Sequence, residues 1–143
     1  MTTGRRNARR QAVFVLYQQD LLSLGASAAV RRAGELQLDP YGRRLVGGVE
    51  EKRQLIDALL QEHVTGWDLE RLGILERAIL RVAAYELRWE KEVPEAVVIN
   101  EAVALAKRFC SGEAGALVNG VLGSLLESSA EPDPAKSVGQ EGR

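Results

Sequence analysis

The sequence predicts an all-α protein, a compact helical domain of six to seven helices. Apolar residues recur at three- and four-residue intervals along most of the chain up to Leu126. No segment alternates polar and apolar residues for long enough to be a convincing strand. Start and stop signals, such as Asp39-Pro40 and Ser111-Gly112, divide these periodic stretches into separate helices.

The first helix is expected from Arg5 to Leu24, and its two halves differ in character. Residues 13–22 are apolar almost all the way round, which suits a helix covered on several sides. The first half has no acid and carries four arginines: Arg5, Arg6, Arg9 and Arg10. A basic helix end anchored in the core can hold guanidinium groups against a phosphate backbone. The alternative is a solvated end that only aids solubility, and four cations at a helix N-terminus also oppose its dipole.

Two further helices are expected in the first half of the chain. Gly25 ends the first helix, and a short second helix follows over residues 27–36. Asp39-Pro40 supplies an N-cap and a first-turn proline for a third helix over residues 40–64. Because each glycine of Gly47-Gly48 costs about 1 kcal/mol relative to alanine, we expect a kink there or a closely crossing helix.

The second half of the chain predicts a short turn, three more helices and a tail. The elements are a turn over residues 68–72, helices over 74–89, 95–109 and 113–126, and a disordered tail over 128–143, so that the helical domain covers 1–127. The apolar residues of the helix at 74–89 predict its inner face. The charged residues predict an outer face that is either solvated or awaits a charged partner, formed by Glu76, Arg77, Arg81, Glu86, Arg88 and Glu90.

Composition excludes several classes of function. The chain has 143 residues with one cysteine and one histidine, too few for an internal disulfide or a zinc site. Cys110 follows Phe109 and is expected to be a buried thiol. Gly42 and Gly47 have the spacing of a phosphate-binding loop but lack the lysine that must follow. We therefore expect no enzyme and no cofactor, and the absence of a membrane-length apolar run or a signal peptide predicts a cytoplasmic protein.

The charge is unevenly distributed, although the whole chain has a net charge of only −1. Residues 1–32 hold six arginines and one acid, Asp20, so the rest of the chain is net acidic. This asymmetry predicts a basic face and an acidic face, and hence two kinds of partner.

Four motifs of this chain resemble the transcription antitermination factor family NusB. They are Arg5-Arg6-Asn7-Ala8-Arg9-Arg10-Gln11-Ala12 with Leu16-Tyr17, the run from Glu76 to Leu87, the run from Val93-Pro94 to Lys107, and Val118-Asn119-Gly120-Val121-Leu122. They follow one another in the family's order and spacing across about residues 5–126. The resemblance implies an all-helical fold of two packed three-helix bundles and a function without catalysis. It also implies binding to the boxA element of ribosomal RNA leader transcripts, together with the ribosomal protein NusE, within an RNA polymerase antitermination complex.

The resemblance also implies site residues, taken over by their position in the motifs. Those on the RNA-binding side are Arg5, Arg6, Arg9, Arg10 and Glu113. Those on the partner-binding side are Tyr17 and Glu76, with Arg81 and Glu86 further along the same helix. The chain departs from some members at Ala116 and Leu117, where they carry a basic and an aromatic residue. RNA affinity is therefore expected to depend more on the arginines than on base stacking.

Alternative functions remain open at the level of sequence. One is a helical protein-interaction module without RNA binding, and another is an accessory domain related to that of RNA methyltransferases. A homodimer that covers the arginines is a variant of the RNA-binding antitermination factor, because some family members self-associate. If the arginines bind RNA, replacing Arg9 and Arg10 by alanine should weaken binding and leave the helical content intact.

Overall fold

The computed structural model describes residues 2–22, 38–64, 66 and 68–130. In these ranges the chain forms six α-helices and one short 3-10 turn. The helices are α1 (Thr2–Leu22), α2 (Pro40–Glu51), α3 (Arg53–His63), α4 (Ile74–Trp89), α5 (Glu95–Phe109) and α6 (Gly112–Ala130), and the turn is Leu69–Arg71. The prediction of an all-α fold is confirmed. None of the described helices is long and apolar enough to cross a membrane.

The helix expected over residues 40–64 is two helices, α2 and α3, that meet at Lys52. The backbone of Lys52 has φ −108° and ψ 19°, outside the α-helical region. The break therefore lies after the glycine pair and not at it. The start of α2 is as predicted, because the Asp39 carboxylate accepts a hydrogen bond of 2.8 Å from the Tyr41 backbone N–H.

Other predicted boundaries differ by a few residues or cannot be compared. Helix α6 continues to Ala130, so the first residues of the expected tail are helical. The short helix predicted over 27–36 and the rest of the tail, from residue 131, lie outside the described residues.

Helix α4 lies at the centre of the fold and packs against all five other α-helices of the described chain. On one side it completes a bundle with α1 and α2, and on another it packs on the hairpin of α5 and α6. Helix α3 lies against α4 and α6. Helix α4 thus belongs to two three-helix bundles, one with α1 and α2 and the other with α5 and α6. Every residue of α4 from Ala78 to Leu87 is buried.

Two glycines of α2 allow the helices of the first bundle to approach closely. A Cβ atom at Gly48 would lie 2.4 Å from the Tyr85 ring of α4, whereas one at Gly47 would meet nothing within 4 Å. A Cβ at Gly42 would lie 3.2 Å from the Ala8 carbonyl oxygen of α1. The prediction of a closely crossing helix at the glycine pair is confirmed, and Gly48 is the residue responsible.

The predicted outer face of α4 was wrong for three of its charged residues. Arg81, Glu86 and Glu90 are buried, because α1, α2 and α3 cover the side of α4 on which they lie. Each of them has an oppositely charged partner on one of those helices. A periodic row of charges predicts an outer face only if no other helix brings counter-charges to it.

Candidate nucleic-acid and protein interface

The N-terminal half of α1 presents three arginines that are at least partly exposed. The Arg6 side chain is 63% exposed and forms an ion pair of 3.1 Å with Glu101 of α5. The Arg10 Nη2 donates a hydrogen bond of 3.0 Å to the Asn7 side chain. The Arg5 guanidinium lies over the Tyr41 ring, 4.7 Å from its centroid. None of these contacts uses more than part of the five donors of a guanidinium, so Arg5, Arg6 and Arg10 can still bind a phosphate.

Arg9 belongs to the same motif, but its side chain points into the protein. It is 3% exposed, and its Nε donates to both carboxylate oxygens of Glu86, at 2.7 and 2.9 Å. Glu86, which is 1% exposed, also accepts a hydrogen bond of 2.7 Å from the Tyr41 hydroxyl. The resemblance placed Arg9 on the RNA side and Glu86 on the partner side, but here they form an internal ion pair that joins α1, α2 and α4.

Arg81, a further residue expected on the partner side, is also used internally. Its Nε and Nη2 donate to the two carboxylate oxygens of Asp57 on α3, at 2.8 and 3.0 Å. Its Nη1 donates to Asp20 on α1, at 2.9 Å, and Arg53 donates to the other oxygen of that carboxylate at 2.6 Å. Burial raises the pKa of Asp20, but the two arginines outweigh it and keep that pKa below its usual value. This network fixes the C-terminal half of α1 against α3 and α4.

Tyr17 lies beside an aromatic cluster between α1 and the end of α5. Its ring contacts Phe14 edge-on, with the centroids 6.2 Å apart, and Phe14 contacts Phe109 in the same way at 5.1 Å. Phe109 is 38% exposed. Arg108 lies over the Phe109 ring at 5.1 Å. This cluster reaches the surface at the last turn of α5.

Two acidic residues, Glu76 and Glu113, belong to the first turns of α4 and α6. Glu76 is half-buried in the first turn of α4, where its carboxylate accepts a hydrogen bond of 3.0 Å from the Gly73 backbone N–H. Burial, with a contribution from the Glu76 charge, raises the pKa of the Cys110 thiol, which is only half-buried and not fully buried as expected. Glu113 is exposed in the first turn of α6. We call Tyr17, Glu76, Phe109 and Glu113 the α5-end surface.

A concavity of about 620 Å³ connects the basic end of α1 to the α5-end surface. Arg10 and Arg108 contribute cationic groups to its lining, and Phe14, Tyr17 and Phe109 contribute aromatic ones. The sequence analysis proposed Arg10 and Tyr17 as site residues but not Arg108 and Phe109, which lie beside them in this concavity. A cation next to an aromatic residue in the last turn of a helix was the available signal for that pair.

Known proteins of one family are similar to this chain in sequence and in fold. A model of the NusB family matches residues 6–127. The transcription antitermination protein NusB of an Exiguobacterium species is 46% identical over 125 residues, which cover 86% of this chain and 97% of that protein. The structure of T. maritima NusB is similar at a TM-score of 0.79 and 30% identity, covering 86% of this chain and 90% of that one.

A further crystal structure shows antitermination factors NusB and NusE in complex with double-stranded RNA. The matching chain has a TM-score of 0.81 at 28% identity, covering 90% of this chain and 99% of that one. The match of the family model to most of the chain and the identity to relatives over nearly their whole length lead to one conclusion. The chain belongs to the NusB family.

Proposed function

We propose that this protein is an RNA-binding transcription antitermination factor. It binds the boxA element of ribosomal RNA leader transcripts together with NusE and helps to assemble a termination-resistant RNA polymerase complex. The observation that carries the proposal is the set of three accessible arginines, Arg5, Arg6 and Arg10, on one helix end in a member of the NusB family. A chain of similar fold in complex with NusE and RNA supports it.

The arginines act by positioning the phosphate backbone. Helix α1 is held along its length by the Arg9–Glu86 pair and by the Asp20 network, so its basic end does not have to be ordered when RNA binds. Contacts of guanidinium groups to phosphates supply affinity and register but little sequence information. Selectivity for boxA is therefore expected from the complex with NusE and not from the arginines alone. The protein itself is non-catalytic, and it works in the cytoplasm, where transcripts are made.

The α5-end surface is the proposed site for NusE. It includes Tyr17, beside the partly exposed Phe14–Phe109 pair, and the acidic residues Glu76 and Glu113. Aromatic anchors with charges around them are typical of protein interfaces. Since Arg81 and Glu86 are buried, they contribute to this site through the fold of α4 and not by contact.

RNA binding is tested by fluorescence anisotropy of a labelled boxA-like RNA and a scrambled RNA at several salt concentrations, with and without NusE. We expect selective binding that tightens with NusE. The variants Arg6→Ala and Arg10→Ala should each reduce the slope of log affinity against log salt by about 0.7 for a single strand. The matched control is Arg71→Ala, which removes an exposed arginine from the 3-10 turn that precedes α4, outside the basic end of α1. Equal and weak binding to both RNAs, unchanged by NusE, would support the protein-interaction module instead.

The NusE site is tested at Glu76 by titration calorimetry. Glu76→Lys reverses the charge but also removes the acceptor for the Gly73 N–H, so its effect mixes partner binding with helix capping. Glu76→Gln keeps a side-chain oxygen that can cap the helix and removes only the charge. We expect both variants to weaken NusE binding and only the lysine variant to lower the melting temperature. Unchanged affinity in both would remove Glu76 from the site.

Self-association that covers the arginines stays a prediction. A dimer of that kind must dissociate before RNA reaches Arg5, Arg6 and Arg10. Sedimentation velocity with increasing RNA should then show conversion of a dimer to a monomer–RNA complex.

A further inference from the structure

Three helices meet at the Glu86 carboxylate, close to the basic end of α1. Arg9 from α1 and Tyr41 from α2 both donate to it, and Glu86 itself belongs to α4. Next to Tyr41, Gly42 brings the α2 backbone against Ala8 of α1. This close approach places the Tyr41 ring under the Arg5 guanidinium, at 4.7 Å from the ring centroid.

The hydrogen bond to Glu86 fixes the orientation of the Tyr41 ring. Burial raises the pKa of the Tyr41 hydroxyl far above its ordinary value, and the hydrogen bond and negative charge of Glu86 raise it further. The hydroxyl therefore stays protonated and continues to donate to Glu86 at any pH at which the protein would work. Since Glu86 is in turn held by Arg9, the ring is fixed from two other helices.

The position of Arg5 over the Tyr41 ring leaves it free to bind a ligand. The attraction of a cation to an aromatic ring acts through its charge and does not use up the five N–H donors of the guanidinium. Arg5 can therefore donate to a phosphate while it remains over the Tyr41 ring. An unsupported arginine would lose rotamer freedom when it binds, and one held over a ring has already lost part of it.

We propose that Tyr41 is a positioning residue for RNA binding, which holds the Arg5 guanidinium in place for a phosphate of a bound RNA. The proposal rests on the proposed RNA-binding function. It assigns to Arg9 and Glu86 an indirect part in RNA binding, through the ring that they orient.

A double-mutant cycle on RNA affinity tests the proposal, with Tyr41→Leu, Arg5→Ala and the double variant. Releasing Arg5 from the ring should weaken binding by about 2- to 10-fold, the range expected for ordering one long side chain. In the Arg5→Ala background the same change at Tyr41 should have almost no effect. The matched control is Arg6→Ala combined with Tyr41→Leu, where the effects should multiply because Arg6 pairs with Glu101 and not with Tyr41.

A second measurement keeps the test decisive if Tyr41→Leu does not fold. Tyr41→Phe keeps the ring and loses the hydroxyl. The ring should shift the side-chain NMR signals of Arg5 upfield in the wild type, and the phenylalanine variant should show a smaller shift together with weaker RNA binding. Equal shifts and equal affinities in the two proteins would overturn the proposal.

The outcomes separate this proposal from the proposed function. If Tyr41→Leu lowers RNA affinity equally in the wild type and in the Arg5→Ala background, the positioning role is overturned. Weaker RNA binding by Arg6→Ala and Arg10→Ala would still support the proposed function in that case. A wild-type protein that does not bind RNA would overturn both.

Discussion

Arg9 and Arg10 are adjacent in the sequence, but replacing them should have opposite kinds of effect. Arg9→Met keeps most of the side-chain volume and removes the guanidinium, which leaves the buried Glu86 carboxylate with the Tyr41 hydroxyl as its remaining described donor. Arg10→Met removes a guanidinium whose described hydrogen bond goes to the nearby Asn7 side chain. The first change should therefore lower stability, with only an indirect effect on RNA affinity through Tyr41, and the second should lower RNA affinity without lowering stability.

The size of the stability loss follows from burial. Arg9 and Glu86 are 3% and 1% exposed, so solvent screens neither charge once its partner is gone. Removing one partner of such a pair costs about 3–5 kcal/mol. For a domain of this length that is a lowering of the melting temperature by about 10–15 °C. Arg10→Met should change the free energy of unfolding by less than about 0.5 kcal/mol.

The assay is urea unfolding followed by circular dichroism, with RNA affinity measured on the same preparations. The double variant Arg9→Met/Glu86→Gln removes both charges and should be less destabilised than the two single variants together, which would establish the coupling. Equal stability of the Arg9 and Arg10 variants, with RNA affinity reduced in both, would show that Arg9 faces solvent. The reasoning from burial would then be refuted, and the expectation that both arginines contact RNA would stand.

Further predictions concern the packing and charges around α4. Gly48→Ala should lower the free energy of unfolding by about 1–3 kcal/mol, since its Cβ would overlap the buried Tyr85 ring. Gly47→Ala should raise it by about 1 kcal/mol, as helix propensity alone predicts. The midpoints of urea unfolding compare the two variants, and equal midpoints would contradict the close approach of α2 and α4 at Gly48. Arg81→Met should lower the free energy of unfolding by about 3 kcal/mol, because the Asp20 and Asp57 carboxylates lose the arginine that pairs with both. A loss below about 1 kcal/mol would mean that these ion pairs are not formed in solution. Because the folded-state pKa of Asp20 is lowered, its contribution to stability is present above the ordinary aspartate pKa of about 3.9 and is lost as the pH falls through the lower value. Stability measured from pH 6 down to pH 2 should therefore fall less steeply in Asp20→Asn than in the wild type, and parallel curves would exclude this linkage.

These predictions share one structural origin, which is that α4 is covered by helices from both halves of the chain. Its charged residues are the links between those helices: Glu86 reaches α1 and α2, and Arg81 reaches α1 and α3. The same links hold α1 against the core on the side that leaves Arg5, Arg6 and Arg10 at least partly exposed. In this way buried charges that do not contact RNA determine where the accessible arginines lie.

The sequence by itself determined the features that depend on neighbours along the chain. Helix periodicity gave the all-α class, and Asp39-Pro40 gave the start of α2, because capping is completed within a single turn. The run of arginines located a basic helix end, and the motifs indicated the family. Each of these features is a local property or a pattern of residue types. Reading such a feature from the sequence does not require knowledge of what packs against a given helix face.

Only the tertiary structure decided which of the charged residues are available to a partner. Arg9 and Arg10 look alike in the sequence, but Arg9 meets a carboxylate that is 77 positions away. The charges on α4 have the same spacing whether they face water or counter-charges on other helices. Burial depends on which helices cover a face, and long-range packing alone determines that, so the separation of three accessible arginines from a structural one could not be read from the sequence.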